Sequence, residues 1–162
     1  MVPMTPKKNQ YALRAVFELA KRRGEGPTKI SDIARAQVIP ARFLEVILNK
    51  LKRSGLIESK RGFTGGYFLS RPPDTITVGD IMRFLDGPTA AMACAACTET
   101  SSCPSHRRGC AFSAMWNRVN QAVLSVYNDT TIQDLLDNDV HLKAQRRRRP
   151  PRASARTEGQ RL

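Results

Sequence analysis

Histidine and acid are scarce in this chain. Only two histidines, His106 and His141, occur in 162 residues. No Ser/His/Asp set and no phosphate-binding glycine loop accompanies them, so acid–base or hydrolytic catalysis has little to stand on and no enzyme is expected. No apolar run approaches the length of a membrane span, and the N-terminus lacks the basic-then-apolar pattern of a signal peptide. The expectation is a cytoplasmic protein with no membrane partner, in a compartment where thiols stay reduced. Acidic side chains number 14 against 27 Lys and Arg, a formal net charge of +13. Cysteine is absent except in one place.

That place is informative. Cys94, Cys97, Cys103 and Cys110 fall within seventeen residues, in a polar stretch with neither helical nor strand periodicity. Loops of this length inside a compact domain are usually functional or disordered, and disorder does not explain the gathering of every thiol. In a reducing compartment the disulfide reading weakens, and a ligand set for a soft metal or an iron–sulfur cluster is the simplest reading. His106, Arg107 and Arg108 place positive charge beside the thiols, which lowers thiol pKa values and offsets an anionic cluster.

The positive charge is uneven. Residues 143–162 carry eight Lys/Arg against one Glu, while residues 29–71 carry nine against three acids. Residues 72–142 reverse the balance, with four basic and eight acidic side chains. The 143–162 tail, with Arg146-Arg147-Arg148-Arg149-Pro150-Pro151, is too poor in apolar residues to bury a core and is expected to be disordered. The 29–71 block has apolar periodicity and turn signals, so its charge lies on a folded face of the kind that meets nucleic acid.

Apolar spacing predicts the elements. Leu13, Val16, Phe17 and Ala20 form one stripe of a helix over 10–21, with Arg14, Glu18 and Lys21 outside it. Gly24, Gly26 and Pro27 end that helix. A short helix over 30–36 follows. Pro40 then opens a third helix, whose Leu44, Ile47, Leu48 and Leu51 share a face and which stops at Ser54-Gly55. Two short strands, Leu56–Ser59 and Tyr67–Ser70, are joined by the basic, glycine-rich Lys60-Arg61-Gly62-Phe63-Thr64-Gly65-Gly66. Helix, turn, helix and basic hairpin in that order make a winged helix-turn-helix. Thr77 caps a helix containing Ile81, Phe84 and Leu85, with Asp80 near its positive end. Beyond the thiols, Phe112, Trp116, Val119, Val123 and Val126 recur at heptad steps, the seam of a dimer helix. Thr130 or Thr131 then caps a short helix with Ile132, Leu135 and Leu136.

The expected fold is mostly α with a small β-hairpin wing: a winged helix-turn-helix plus a long dimerisation helix. Its parts are a DNA-binding domain over 1–88, a cysteine-rich loop over 89–110, the dimerisation and C-terminal helices over 111–142, and the basic tail.

Several motifs in order and spacing carry a resemblance across residues 10–136. They are Tyr11-Ala12-Leu13-Arg14, Phe43-Leu44-Glu45, Leu51-Lys52-Arg53-Ser54-Gly55-Leu56-Ile57, Arg61-Gly62 with Gly65-Gly66-Tyr67, Val78-Gly79-Asp80-Ile81, and Cys97-x5-Cys103-x6-Cys110-x5-Trp116. Together they resemble the Rrf-two family of winged-helix transcription regulators. The resemblance implies a homodimer on an imperfect palindrome of double-stranded DNA. In the cluster-binding branch it also implies an iron–sulfur cluster, 2Fe–2S or 4Fe–4S, held by Cys97, Cys103 and Cys110 and tuning DNA affinity to redox state, nitric oxide or iron supply. Cluster-binding relatives complete the site with a histidine or an acid where this chain has Ser113 and Gln10. Cys94 is the natural substitute, with His106 as another candidate.

Base reading is assigned by the same resemblance to Arg42 and Glu45 on the recognition helix and Arg61 in the wing. The chemistry agrees: arginine pairs bidentately with guanine, and glutamate accepts from cytosine. Lys29, Lys50 and Lys60 are expected at phosphates. Two alternatives for the thiols stay open, a structural zinc with Cys94-x2-Cys97 as one half-site and a clusterless thiol switch. An iron–sulfur redox protein or electron carrier would account for the thiols but not for the helix-turn-helix, the wing or the basic face.

Overall fold

The computed structural model describes residues 7–86 and 111–148, with side chains through 145. The elements run α1 (Lys7–Lys21), α2 (Ile30–Gln37), α3 (Ala41–Arg53), β1 (Ile57–Lys60), β2 (Gly66–Leu69), a 3-10 turn (Pro73–Thr75), α4 (Val78–Asp86), α5 (Ser113–Asp129) and α6 (Ile132–Arg148). β1 and β2 pair antiparallel, with Ile57 opposite Leu69 and Lys60 opposite Gly66. The chain is thus mostly helical with a two-stranded hairpin, as the sequence predicts.

Helix α1 is the hub, packed against α2, α3, α4, α6 and β2. Its inward face is Ala12, Ala15, Val16, Leu19 and Ala20. The alanines let neighbouring backbones approach closely while Val16 and Leu19 fill the space between them. The core continues through Ile33, Leu44, Leu48, Leu51, Ile57, Leu69, Ile76, Ile81 and Ile132. Truncating a fully buried member such as Leu48 to alanine costs roughly 2–5 kcal/mol, because lost transfer energy and the residual cavity add.

The turn between α2 and α3 has an unexpected conformation. Val38 occupies the left-handed region (φ 52°), and its N–H closes back on the Ala34 carbonyl. A β-branched residue is unfavourable there, so the turn is held by its surroundings. Pro40 caps α3, one position before the first turn where the sequence reading placed it. Gly55 lies at φ 72° just past the α3 C-cap Ser54, the left-handed stop that glycine permits.

The sequence reading of α1 is corrected at one residue. Glu18, placed outside the apolar stripe, is 2% exposed. Arg22 Nε donates to its Oε1 at 2.6 Å and Gln37 Nε2 to its Oε2 at 2.8 Å. These two donors make burial of the carboxylate tolerable.

The C-terminal helix also differs from expectation. It runs to Arg148, past the boundary at residue 142 where the tail was expected to begin. Lys143 pairs with Asp139 one turn earlier, and the first proline after Ile132 is Pro150, so nothing in that interval breaks a helix. Residues 149–162 lie outside the described residues. So do residues 87–110, which include the whole cysteine-rich loop expected over 89–110.

Two capping boxes meet where the start of this helix joins the start of α4. Thr77 Oγ1 accepts from the Asp80 N–H at 3.0 Å while Asp80 Oδ2 accepts from the Thr77 N–H at 3.1 Å. Thr131 and Asp134 repeat the pattern at 3.1 and 2.8 Å. The two threonines face one another in an antiparallel bridge. Val78 N–H donates to Thr130 O and Ile132 N–H to Ile76 O, both at 2.9 Å. Reciprocal caps of this kind satisfy orphan donors at each helix start. Burial pushes the Asp80 carboxyl up, but the Thr77 and Arg83 hydrogen bonds outweigh it and hold the group below its usual value. Thr131 does the same for the exposed Asp134.

Candidate nucleic-acid interface and thiol segment

Helix α3 has two faces. Leu44, Ile47, Leu48 and Leu51 are buried, so the 3.6-residue period turns Arg42, Phe43, Glu45, Val46, Asn49, Lys50 and Arg53 outward. The Arg42 guanidinium lies 5.4 Å from the centre of the Phe43 ring, a cation–π contact that orders the arginine at the start of the helix. Phe43 and Val46 expose apolar surface beside it, the chemistry that meets a thymine methyl. The sequence reading assigns DNA contacts to Arg42, Glu45 and Lys50, quotes Phe43 only as part of a motif, and gives neither Phe43 nor Val46 a role. Their signal was present: both fall on the helix face opposite the leucines.

The wing supplies the second cluster. Lys60, Arg61, Gly62 and Phe63 are exposed at its tip. Lys29, which precedes α2, puts its ammonium 5.0 Å from the centre of the Phe63 ring. A cleft of about 570 Å³ separates the start of α2 from the hairpin, lined in part by Lys29, Ser31, Ser59, Lys60 and Arg61. Lys29, Lys60 and Arg61 therefore share one cleft, with three cations, the hydroxyls of Ser31, Ser59 and Tyr67, and no carboxylate in its lining. Arg42, Glu45 and Lys50 lie on the neighbouring helix, and Lys52 Nζ ties that helix to the wing by donating to Ser59 Oγ at 2.7 Å.

The wing is braced. Thr28 and Tyr67 exchange reciprocal backbone hydrogen bonds at 2.8 Å. Gly66 sits directly on Thr28: a Cβ there would stand 2.5 Å from the Thr28 carbonyl oxygen. Gly65 is equally confined, since a Cβ would collide with the backbone of Lys60, Arg61 and Gly62. These close approaches explain why the hairpin needs two consecutive glycines.

A polar chain centred on the buried Glu18 holds the end of α2 against α1. Arg14 donates to the Gln37 carbonyl and side chain, Gln37 to Glu18, and Arg22 to Glu18. Gln37 is the last residue of α2, so this chain fixes the point where the left-handed Val38 turn begins. Burial pushes the Glu18 carboxyl up, but the Arg22 and Gln37 hydrogen bonds and the Arg22 and Lys21 charges outweigh it and hold it below its usual range. The Arg22 guanidinium is raised in turn, chiefly by its bond to Glu18. The sequence signal for this pair was the Glu-to-Arg spacing of four on one helix.

Cys94, Cys97, Cys103, Cys110 and His106 lie outside the described residues. The chain enters their segment from α4 and leaves it towards α5, and these two helices pack together. The exit from α4 is clamped. Lys8 Nζ donates to Leu85 O at 3.0 Å and to Asp86 Oδ1 at 2.9 Å, and the buried Asn9 donates to Asp86 Oδ2. Among the described residues no group of three or more His, Cys, Asp or Glu stands close enough to hold a metal ion. Gln10 and Ser113, the positions to which the resemblance points for a fourth ligand, are both exposed.

Helix α5 has no buried residue. Phe112 and Val126, the ends of the heptad seam, are 64% and 63% exposed, and Trp116, Val119 and Val123 are half-buried. Among the described residues no helix is long and apolar enough to cross a membrane.

Comparison with known proteins places this geometry. The family profile described as "Rrf2: Iron-dependent Transcriptional regulator" matches residues 5–138. The HTH-type transcriptional regulator CymR of Bacillus subtilis is 38% identical over 128 residues, which is 79% of this chain and 86% of that protein. Its solved structure, described as that of the global cysteine regulator, superposes with a TM-score of 0.67 at 36% identity over 85% of this chain and 98% of that one. The structure of T. potens IscR gives a TM-score of 0.71 at 29% identity, covering 93% of this chain and 94% of that one. IscR of Salmonella agona is 29% identical over 157 residues, 93% of this chain and 92% of that protein. These relatives are named as transcriptional regulators, not as enzymes.

Proposed function

The chain belongs to the Rrf2 family of transcriptional regulators, and on that premise we propose that it binds an imperfectly palindromic operator as a homodimer, with an iron–sulfur cluster on Cys97, Cys103, Cys110 and Cys94 setting its affinity. One observation carries the sensory part: every thiol of the chain lies in the single segment joining α4 to α5. Four thiolates separated by spacers of two, five and six residues are a donor set suited to iron–sulfur ligation. When bound, such a cluster supplies sensitivity to oxidation, nitric oxide or iron supply.

The chain's own residues connect that segment to DNA reading. Lys8 and Asn9 tie the root of the segment, at Asp86, to helix α1. The same helix carries Arg14 and Glu18, which hold the end of α2 through Gln37. A change at the thiols thus has a short path through one rigid helix to the turn that sets α3. Arg42, Glu45 and Arg61 read bases in this proposal. Lys29, Lys50 and Lys60 meet phosphates, which position without specifying. The uncovered seam of α5 supports the dimer, since Phe112, Trp116, Val119, Val123 and Val126 have the spacing of helices packed side by side.

A second reading has its own support. Identity to CymR, described as a global cysteine regulator, is 38%, against 29% to IscR. In that reading the thiols act without a cluster or hold a structural zinc.

Visible absorption with iron, sulfide and zinc analysis on oxygen-free protein separates the two. Iron and sulfide near stoichiometric, lost in Cys97→Ala, Cys103→Ala and Cys110→Ala, are the expected result. One zinc per chain would make the segment structural. A colourless protein that resists reconstitution would favour the clusterless switch.

A further inference from the structure

Phe63 is the most conspicuous side chain that the assignments above leave without work. It sits at the tip of the wing with 91% of its surface exposed, where an aromatic ring contributes nothing to the core. Loop tips ordinarily carry small or polar residues.

The tip is built to hold that ring in place. Gly65 N–H donates to Gly62 O at 2.9 Å, closing the turn beneath Phe63. Gly62 has φ 108° and Gly65 packs on the backbone of residues 60–62, so the turn tolerates little variation. Behind it, the Thr28–Tyr67 bridge and the seat of Gly66 on Thr28 brace the strand against the body of the domain. The Lys29 ammonium lies over the ring at 5.0 Å from its centre, while the ring remains almost wholly open to solvent. An apolar plate is therefore held rigidly at a tip whose immediate neighbours are Lys29, Lys60 and Arg61.

We propose that Phe63 is a wedge, inserted from the minor groove into a base step beside each half-site. This rests on the DNA-binding reading above and extends it to a residue that specifies sequence through deformability. The surrounding charge selects this occupant. Three cations are drawn to flanking phosphates, and the groove floor then offers the flat apolar ring a base face to cover. Apolar side chains on minor-groove binders partly unstack base steps in this way, and pyrimidine–purine steps yield most readily. A protein partner would need an apolar pocket ringed by acids.

The test uses the full-length protein and a duplex that the wild type selects from a randomised library. A fluorescent adenine analogue is scanned along the flanks of the selected half-sites. Wild-type binding brightens the analogue at one step per half-site, and Phe63→Ala abolishes the signal. Phe63→Ala also weakens binding by about ten- to a hundredfold, the equivalent of burying one large apolar side chain, and Phe63→Trp restores both. Replacing the yielding step with a stiff A-tract weakens the wild type but not Phe63→Ala.

Wild-type binding with no brightening at any flanking step overturns the insertion. Phe63→Ala binding within about twofold of wild type overturns any role on DNA and assigns the ring to a protein surface. A wild type that selects no duplex overturns the DNA-binding reading itself, which is a different failure. Urea unfolding of Phe63→Ala should match the wild type, because an exposed ring adds nothing to the core.

Discussion

Replacing Glu18 should damage this protein more than its position on the outer side of an amphipathic pattern suggests. Its carboxylate is buried and accepts from Arg22 at 2.6 Å and Gln37 at 2.8 Å. Hydrogen bonds to a charged group contribute about 1.5–3 kcal/mol each. The Arg22 side chain is 33% exposed, so solvent screening brings its share down to about 1 kcal/mol. The bond to Gln37 contributes about 1.5 kcal/mol. Glu18→Ala should therefore lose about 2–3 kcal/mol, or roughly 5–10 °C in melting temperature for a chain of this size. Glu18→Gln keeps an acceptor and should lose less.

The pH dependence gives an independent check. The folded carboxyl is held below its ordinary value of 4.5. A depressed pKa contributes stability that is fully present above the unfolded value and lost as pH falls through the folded one. The gap between wild type and Glu18→Ala should accordingly be constant at neutral pH and narrow as pH falls below 4.5. Urea denaturation followed by far-UV circular dichroism across that range measures both. A loss under about 0.5 kcal/mol, typical of an ordinary surface change, would refute the reasoning. So would a gap that stays constant through the acid range. Gln37→Ala in the Glu18→Ala background should add less than it does alone, because the two share one hydrogen bond.

Other outcomes follow from the interface. Arg61→Ala should lower operator affinity by about 1–3 kcal/mol with relaxed specificity at one position, read by fluorescence anisotropy on matched and mismatched duplexes; equal affinity would remove Arg61 from base reading. Gly66→Ala places a Cβ 2.5 Å from the Thr28 carbonyl and should cost about 1–3 kcal/mol as the wing lifts, visible in thermal melting and as weaker binding. Deleting residues 149–162, beyond the end of α6, removes four arginines and one glutamate. It should leave stability unchanged and reduce the slope of log affinity against log salt by up to about three. An unchanged slope would mean the tail does not touch DNA.

Local chemistry determined much of this protein from sequence. The helix-turn-helix and wing were legible because leucine spacing, Pro40, Ser54-Gly55 and the glycine-rich hairpin each act over a few residues. Thr77 with Asp80 announced a helix start for the same reason, since a capping box is complete within four residues. The concentration of thiols and the basic face were also plain, because composition and charge need no fold to be counted.

Tertiary structure decided what depends on distant partners. Glu18 looks like a solvent-facing charge on its own helix, and only the end of α2 arriving at Gln37 buries it, while Arg14 clamps the same residue from the exposed side. Val38 in the left-handed region contradicts its local preference and is sustained by the hydrogen bonds of Val38 and Ile39 N–H to Ala34 O and by the burial of Ile39. Gly66 needs to be glycine because Thr28, far away in the chain, passes directly above it. The sequence places Phe63 in the hairpin turn, but only the braced wing shows its ring standing in solvent beside Lys29. Periodicity reports which face of an element is apolar, whereas contacts across the chain determine which polar groups are buried and which apolar ones are left outside.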